Sequence, residues 1–332
     1  QEIYDLGTRH LLSEIASAAH EIGSQQQRPV HVIAETDQED LRLVNSPAVG
    51  GYGLDAVWSD DFHHSVHAYF TGERDGYYQD FGTVEDLAKA YNEVFVYDGC
   101  YSHFRRRRHG MPAGDTSRDR FVISIQNHDQ VGNRAESDRF GVLLAPAQQR
   151  LAAALLLLAP GVPMLFMGQE YGEQQPFPFF CSFDNHDLAA NIRRGRKAEF
   201  AGHTFRWLKE PLDPQAEATF EKAKLRWSWP AGSEAAGMRL LYGDLLRARS
   251  TWPALRDLAH TSARVVSGDG GDRPGADAPR PSLLVVRRGA KPAVIAVANM
   301  SDTRQTCPAV AGELADDLGE PAVAVLSTAQ SC

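Results

Sequence analysis

The chain has 332 residues, of which 43% are hydrophobic and 23% are charged, and its formal net charge is −9 at pH 7. These values are typical of a globular protein that is long enough for one large domain and one small one. The acidic balance argues against a general nucleic-acid binder, because such proteins neutralise phosphates with Lys and Arg, and it fits a neutral substrate.

The cysteines and the apolar segments predict a cytoplasmic protein. The four cysteines, at positions 100, 181, 307 and 332, show no C-x-x-C spacing. We therefore expect reduced thiols rather than a zinc site or a disulfide framework. The first residues do not resemble a signal peptide. The longest apolar run, residues 151–160, is too short to cross a bilayer, so no membrane partner is expected.

Helical and extended patterns alternate along most of the chain. Leu11, Ile15, Ala18 and Ile22 recur at helical spacing and predict an amphipathic helix over 8–23. Short apolar segments predict buried strands over 29–34, 54–58, 120–126 and 162–167. Helices are expected over 60–71, from an N-cap at Thr83 to about 95, and over 146–159, 186–200, 214–226 and 235–250. The alternation predicts a parallel α/β sheet.

Two further segments depart from this alternation. Residues 98–119 are basic and contain Gly and Pro, which predicts a long functional or mobile loop. From about residue 263 the pattern becomes strand-like around an exposed loop at 268–281. The strand-like segments cover 264–266, 283–286, 294–297 and 322–326. We therefore expect an α/β domain over 1–255 and a small all-β domain over 256–332.

Polar side chains directly follow two of the predicted strands. Gln126-Asn127-His128-Asp129 ends the strand over 120–126, and Glu35 and Asp37 follow the strand over 29–34. Such groups are costly to bury unless each has a partner, so they are expected at the mouth of a pocket. In α/β barrels the active site is built at the carboxyl ends of the strands, where Glu35 and Asp129 would meet.

Five motifs carry a resemblance to a known family. Val32-Ile33-Ala34-Glu35 and Gln126-Asn127-His128-Asp129 resemble two signature regions of the α-amylase family of glycoside hydrolases. Three others resemble one branch of that family, the maltooligosyltrehalose trehalohydrolases. They are Trp58-Ser59-Asp60-Asp61-Phe62-His63-His64, the segment Phe104-Arg105-Arg106-Arg107-Arg108-His109-Gly110, and Pro176-Phe177-Pro178-Phe179-Phe180. The resemblance covers most of residues 1–255.

The resemblance implies a fold and an activity. The fold is the C-terminal half of a (β/α)8 TIM barrel, strands five to eight, followed by a β-sandwich domain. The activity is retaining cleavage of the α-1,4 bond between a maltooligosaccharide and trehalose, without cofactor or catalytic metal. Two alternatives stay open: a glycogen branching or debranching enzyme, and a non-catalytic glucan-binding fragment. The family's Asp nucleophile is expected upstream of Gln1, so the chain alone is expected to fold poorly and to be inactive.

Two carboxylates are the predicted catalytic residues. By resemblance, Glu35 is the general acid, which requires a raised pKa from apolar walls or a neighbouring carboxylate. Asp129 holds sugar hydroxyls in the transition state, with His128 and Gln130 beside the same ring. The structural alternatives are a capping loop carboxylate for Glu35 and a simple turn for His128-Asp129.

The remaining motifs have less specific interpretations. Trp58 offers an apolar surface for a sugar, and Asp61 and His64 either bind hydroxyls, orient Glu35 or serve a structural helix cap. A metal site formed by Asp60, Asp61, His63, His64 and His67 is disfavoured. Arg134 is expected to order its loop or to pair with a carboxylate. Arg105 to Arg108 are expected in a solvated or salt-bridged loop, and Pro176 to Phe180 either fill the core or border the sugar cleft.

Overall fold

The computed structural model of the chain describes residues 3–201, 212–267, 282–303 and 305. The predicted loop over 268–281, the predicted strand over 322–326, Cys307 and Cys332 lie outside the described residues.

The described strands fall into three sheets. In chain order they are β1 (Ile33–Ala34), β2 (Ala56–Ser59), β3 (Asp98–Ser102), β4 (Arg107–Gly110), β5 (Phe121–Ile123), β6 (Val162–Pro163), β7 (Thr261–Ser267), β8 (Ser282–Arg288) and β9 (Val294–Asn299).

The described α-helices begin with an amphipathic helix before the first strand. In chain order they are α1 (Leu11–Gln25), α2 (Asp60–Thr71), α3 (Val84–Glu93), α4 (His128–Gly132), α5 (Phe140–Leu143), α6 (Pro146–Leu158), α7 (His186–Ala201), α8 (Glu217–Lys222), α9 (Glu234–Thr251) and α10 (Pro253–Arg256).

The central sheet is parallel and follows the order β1-β2-β5-β6. Ala34 pairs with Val57, Ser59 pairs with Ile123, and Ile123 pairs with Pro163. The predicted α/β alternation is therefore confirmed. Only two to four residues of each predicted strand take part in the sheet. The residues that follow β5 within its apolar segment, over 124–126, are buried but lie outside the paired register.

The predicted helix boundaries hold where capping or periodicity is strong. Helix α2 has the predicted bounds, and α6 ends one residue early. Thr83 caps α3 as expected, because its Oγ1 accepts from Asp86 N at 3.2 Å while Asp86 Oδ2 accepts from Thr83 N at 2.8 Å. The weaker pattern over 214–226 yields only the short helix α8.

The prediction of a long loop over 98–119 is wrong for the first half of that segment. Within it, β3 and β4 form an antiparallel hairpin, with Tyr101 opposite Arg108 and Ser102 opposite Arg107. Both strands are rich in polar residues and Gly, so the alternation that normally signals a strand is missing. At the end of β4, Gly110 has a φ of +72°, and a Cβ there would lie 1.9 Å from the carbonyl oxygen of Tyr97.

The third sheet is antiparallel in the order β7-β8-β9 and shares a hydrophobic core with the α/β unit. Ala263, Leu284, Val286 and Met300 belong to the same buried cluster as side chains from α2, α3 and α6. Asn92 of α3 also bonds Ala263 twice: its Nδ2 donates to the carbonyl at 2.8 Å, and its Oδ1 accepts from the amide at 2.7 Å. The strand-like pattern that follows residue 263 is thus confirmed for the described strands.

Across the described residues, none of the helices combines the length and apolar character needed to cross a membrane.

Candidate active site

The carboxyl ends of the central strands bring Glu35 close to His128, the residue next to Asp129. Glu35 follows β1, and His128 and Asp129 open α4 beyond β5. The Nε2 of His128 lies 3.6 Å from the Oε1 of Glu35, and the two side chains are 54% and 55% exposed. Asp129 is exposed beside them. Two segments more than ninety residues apart therefore meet at one open edge of the sheet, as the strand-end argument predicted.

The residues before His128 explain why polar groups end a buried strand. Asn127 is the N-cap of α4, and its Oδ1 accepts from the amides of Asp129 at 2.9 Å and Gln130 at 3.1 Å. The Oε1 of the buried Gln126 accepts from the amide of Phe140 at 2.8 Å. Both buried amide side chains thus accept hydrogen bonds from backbone amides, and the start of α4, which Asn127 stabilises, directs His128 and Asp129 outward.

Asp129 is held by a short chain of hydrogen bonds. Its Oδ1 accepts from Asn133 Nδ2 at 2.7 Å. Asn133 Oδ1 accepts from Arg196 Nη1 at 2.6 Å, and Arg196 Nη2 donates to the carbonyl of Gly132 at 2.9 Å. The Arg196 guanidinium also lies 5.1 Å from the ring centroid of Phe179. Helix α7 therefore fixes the orientation of a carboxylate on α4.

Trp58 lies at the edge of this group. The residue is half-buried on β2, and its ring meets the ring of His128 edge-on, with centroids 6.2 Å apart. The arrangement leaves part of an aromatic surface beside Glu35 and His128, which is the environment that stacking on a sugar requires.

Asp61 and His64 were predicted to bind sugar or to serve a structural role, and both are buried in the structure. Asp61 is 1% exposed, and its Oδ2 accepts from the amides of Val96 at 2.6 Å and Tyr97 at 2.9 Å. His64 stacks on Tyr77 with ring centroids 4.8 Å apart. Burial lowers the pKa of His64 to about 3, so the imidazole is neutral. Their positions correct the sugar-binding interpretation, because neither side chain reaches the open edge.

The other histidines of α2 are also structural. His63 contacts the carbonyl of Ile125 at 2.8 Å and the hydroxyl of Tyr78 at 3.0 Å. His67 stacks on Tyr78, with centroids 4.2 Å apart, and contacts Glu73 at 2.9 Å. Among the described residues, no group of three or more His, Cys, Asp or Glu side chains could hold a metal ion.

Arg134 pairs with a carboxylate, as the sequence predicted. Its Nη1 and Nη2 donate to the two oxygens of Glu73 at 2.7 and 2.8 Å. Burial opposes the charge on Glu73, but hydrogen bonds from His67 and Arg134 lower its pKa to about 2. This bidentate pair joins the end of α2 to the segment after α4 and orders the loop, away from the open edge.

The segment that carries Glu35 is fixed by the unpredicted hairpin. Arg105 Nη2 donates to Asp37 Oδ2 at 2.6 Å, which confirms the salt-bridged interpretation of that arginine. His109 Nε2 lies 2.8 Å from the carbonyl of Asp37 and also contacts the carboxyl group of Glu39. Burial raises the pKa of Glu39 to about 9, although the charge of Arg105 opposes this. Glu39 is thus a neutral acid beneath the segment.

Asp60 was not predicted to be a site residue and appeared only within the motif from Trp58 to His64 and in the disfavoured metal site. Asp60 follows β2 directly, is half-buried and accepts from Gln130 Nε2 at 3.2 Å through its Oδ1. Burial raises the pKa of Asp60 to about 7, and the charge of Asp129 adds to this effect. The strand-end rule that selected Glu35 and Asp129 could have selected it.

The aromatic residues of the motif over 176–180 have two different environments. Phe177 packs against Phe166 and Phe180, with ring centroids 5.3 and 6.0 Å apart, and Phe180 packs against Phe220. Phe179 is exposed beneath Arg196. The motif therefore packs two half-buried rings against neighbouring aromatic side chains and presents a third toward Arg196, which helps to hold Asp129.

A separate cavity of about 390 Å³ opens between α6, the segment after β6 and α9. Its lining includes Gln149, Tyr171, Glu173, Arg226 and Met238, and it contains neither Glu35 nor Asp129. The candidate active site is therefore an open edge that lies outside this cavity.

Comparisons with known proteins agree with the geometry. The chain is 45% identical over 225 residues to the malto-oligosyltrehalose trehalohydrolase of Saccharolobus solfataricus, which is 68% of this chain and 38% of that protein. It is 43% identical over 259 residues to the enzyme of that name from Mycobacterium tuberculosis, covering 77% of this chain and 44% of the relative. The chain thus spans less than half the length of these relatives.

A solved structure extends the similarity to the fold. A Salmonella typhimurium protein, crystallised as a candidate alpha amylase, is 35% identical and superposes with a TM-score of 0.74 over 91% of this chain and 50% of its own. No protein-family profile matches the chain. With the parallel sheet and the carboxylates at its edge, these similarities show that the chain is a homologue of the malto-oligosyltrehalose trehalohydrolases over less than half of their length, and that it shares the fold of a solved protein described as a candidate alpha amylase.

Proposed function

We propose that the chain supplies the general acid of a hydrolase that cleaves the α-1,4 bond between a maltooligosaccharide and trehalose. The observation that carries the proposal is the contact of Glu35 with His128, the neighbour of the exposed Asp129, at one open edge, where His128 Nε2 lies 3.6 Å from Glu35 Oε1. The name shared by the relatives favours this bond over those cut or formed by branching and debranching enzymes.

Glu35 acts first as an acid and then as a base. It protonates the oxygen that leaves with trehalose, and in the second step it deprotonates the water that frees the sugar chain. An acid in this role needs surroundings that favour its neutral form. Because 55% of the Glu35 side chain is exposed, we propose that bound sugar and further protein segments cover it during the reaction.

Asp129 and His128 act on the ring at the cleaved bond. The exposed carboxylate of Asp129, oriented by Asn133, accepts hydrogen bonds from sugar hydroxyls. These bonds strengthen as positive charge develops at the anomeric carbon, so they favour the transition state over the bound substrate. His128, between Glu35 and Trp58, contacts the same ring.

A retaining mechanism also needs a nucleophile, which we propose comes from an aspartate outside these 332 residues. The support is the size of the relatives, of which the chain covers 38% and 44%, and the open four-stranded sheet. We use "complete enzyme" for the polypeptide that contains both this nucleophile and these residues. The isolated chain is then inactive, because it carries an acid without its nucleophile. We further propose a domain boundary near residue 255 and a cytoplasmic location.

Product analysis tests the proposal. The complete enzyme is incubated with malto-oligosyltrehalose and, separately, with starch, and free trehalose is quantified by chromatography. We expect trehalose from the first substrate, none from the isolated chain, and none from a Glu35→Gln variant. Absence of trehalose, with new branch points or debranched chains formed from starch, would contradict the proposal in favour of the alternative family activities. Binding without hydrolysis would support a glucan-binding role instead.

A further inference from the structure

Asp60 occupies the strand end between the two proposed catalytic carboxylates. Strand β2 lies between β1, which ends before Glu35, and β5, which precedes Asp129. Ser59 at the end of β2 pairs with Ile123, so Asp60 is directed to the same edge of the parallel sheet. Its side chain is half-buried, in contrast to that of Asp61, which is inside the core.

The contacts of Asp60 connect it to a predicted substrate-binding residue. Its Oδ1 accepts from Gln130 Nε2 at 3.2 Å. Gln130 is 4% exposed, and within the described part of the chain its Oε1 has no hydrogen-bond partner. A buried amide oxygen without a partner is costly unless a ligand or water completes it. The pair therefore places the unpartnered Oε1 of Gln130, a hydrogen-bond acceptor, beside the carboxyl group of Asp60.

Three acidic residues act electrostatically on Asp60. They are Asp129 of α4, Asp37 of the segment after β1, and Asp61 of its own helix. The electrostatic neighbourhood also includes Glu39 and Tyr77, and the nearby Arg105 is paired with Asp37. Burial raises the pKa of Asp60 to about 7, and the neighbouring carboxyl groups, of which Asp129 has the largest effect, act in the same direction.

We propose that Asp60 is a third substrate-contacting carboxyl group, which donates a hydrogen bond from its neutral form to the sugar between Glu35 and Asp129. A carboxylate can only accept hydrogen bonds, whereas a neutral carboxyl group also has an O–H donor. Asp129 acts as an acceptor for hydroxyl protons, so a donor at Asp60 complements it on the same sugar. The inference rests on the proposed function and adds a residue to it.

A binding titration isolates this role from catalysis. In the complete enzyme carrying Glu35→Gln, which does not turn over, the affinity for malto-oligosyltrehalose is measured by calorimetry between about pH 5.5 and about pH 8.5. Ionisation of Asp60 removes the donor and adds a third negative charge, so affinity is expected to fall about fivefold to tenfold across this range. Adding Asp60→Asn keeps a donor at every pH, and the affinity should then stay constant.

The controls separate the possible failures. The exposed Asp119→Asn, made in the same Glu35→Gln background, should leave the pH dependence unchanged. The inference on Asp60 is wrong if Asp60→Asn also leaves the pH dependence of the affinity unchanged. The proposed function still stands in that case, provided that the unmutated enzyme releases trehalose. If no trehalose is released, the proposed function fails by its own assay. Thermal unfolding of each variant identifies any loss of affinity that is due to misfolding.

Discussion

Two groups of carboxyl side chains lie side by side in this protein and differ in exposure. The first, which we call the rim, contains Glu35 and Asp129, both exposed at the carboxyl edge of the sheet. The second, the buried acid cluster, contains Glu39 and Asp61, which are 4% and 1% exposed, with His109 against Glu39. Glu35 and Glu39 are four positions apart on one segment, yet only the first can meet a substrate.

The difference shows that sequence position does not define a catalytic carboxylate. At the rim, water and substrate reach the side chains, so their charge is available for chemistry. In the buried acid cluster, burial raises the pKa of Glu39 and Asp61, and backbone amides occupy one oxygen of Asp61. Neutral buried acids can join three elements, namely the segment after β1, helix α2 and strand β4, without an unpaired charge.

The largest expected effect is at the rim. Glu35→Gln in the complete enzyme should reduce trehalose release by about a thousandfold, because it removes the proton donor. The exposed Glu14→Gln on α1 is the matched control and should retain full activity. Initial rates with malto-oligosyltrehalose measure the effect, and a Glu35→Gln variant that keeps most of its activity would break the assignment of the rim as the catalytic region.

The carboxylate of Glu73, which is paired with Arg134, should differ from both groups in how its contribution to stability depends on pH. Glu73→Gln should lower the unfolding free energy of the complete enzyme by about 3 kcal/mol at neutral pH, because it removes the bidentate partner of the buried Arg134 and leaves only the more distant Asp138, whose Oδ2 lies 3.6 Å from Arg134 Nη2, to balance the charge. The pKa of Glu73 is lowered to about 2, so its contribution is present above the ordinary value and is lost as the pH falls through about 2. Denaturant unfolding at several pH values should therefore show that the unfolding free energies of the wild type and of Glu73→Gln become equal in acid.

The buried acid cluster can be tested by a pH-dependent comparison with the rim. The folded pKa of Glu39 is about 9, so stability is full below the ordinary value near 4.5 and falls as the pH rises toward 9. Glu39→Gln removes this ionisation and should be more stable than the wild type by about 1–3 kcal/mol at alkaline pH, with little difference in mild acid. Parallel stability curves for the two proteins would show that Glu39 does not titrate in this way.

The smallest effect is expected for an exposed ion pair that belongs to neither group. Arg193 Nε donates to Asp213 Oδ1 at 2.8 Å, and both side chains are nearly half exposed. Arg193→Ala should change the unfolding free energy by less than about 1 kcal/mol, because solvent screens such pairs. A larger change, measured by denaturant unfolding, would indicate that exposure alone does not rank these carboxylates.

Much of the architecture follows from local patterns. The strand-end positions of Glu35 and Asp129, the bounds of α2 and the cap of α3 could be predicted, because apolar periodicity and capping act within a few residues. Arg134 could also be predicted to pair with a carboxylate. Its partner Glu73 could not be identified, because it lies 61 positions away.

The sequence by itself determined the parallel α/β alternation and the two carboxylates at its strand ends, because hydrophobic patterning fixes which residues leave the core. Only the tertiary structure decided that Asp60 rather than Asp61 faces the edge, since adjacent residues at a helix start point in different directions. It also decided that the polar hairpin β3–β4 covers Glu39 and fixes the segment of Glu35. Those contacts join residues about seventy positions apart, and the secondary-structure preferences of neighbouring residues do not predict such long-range pairings.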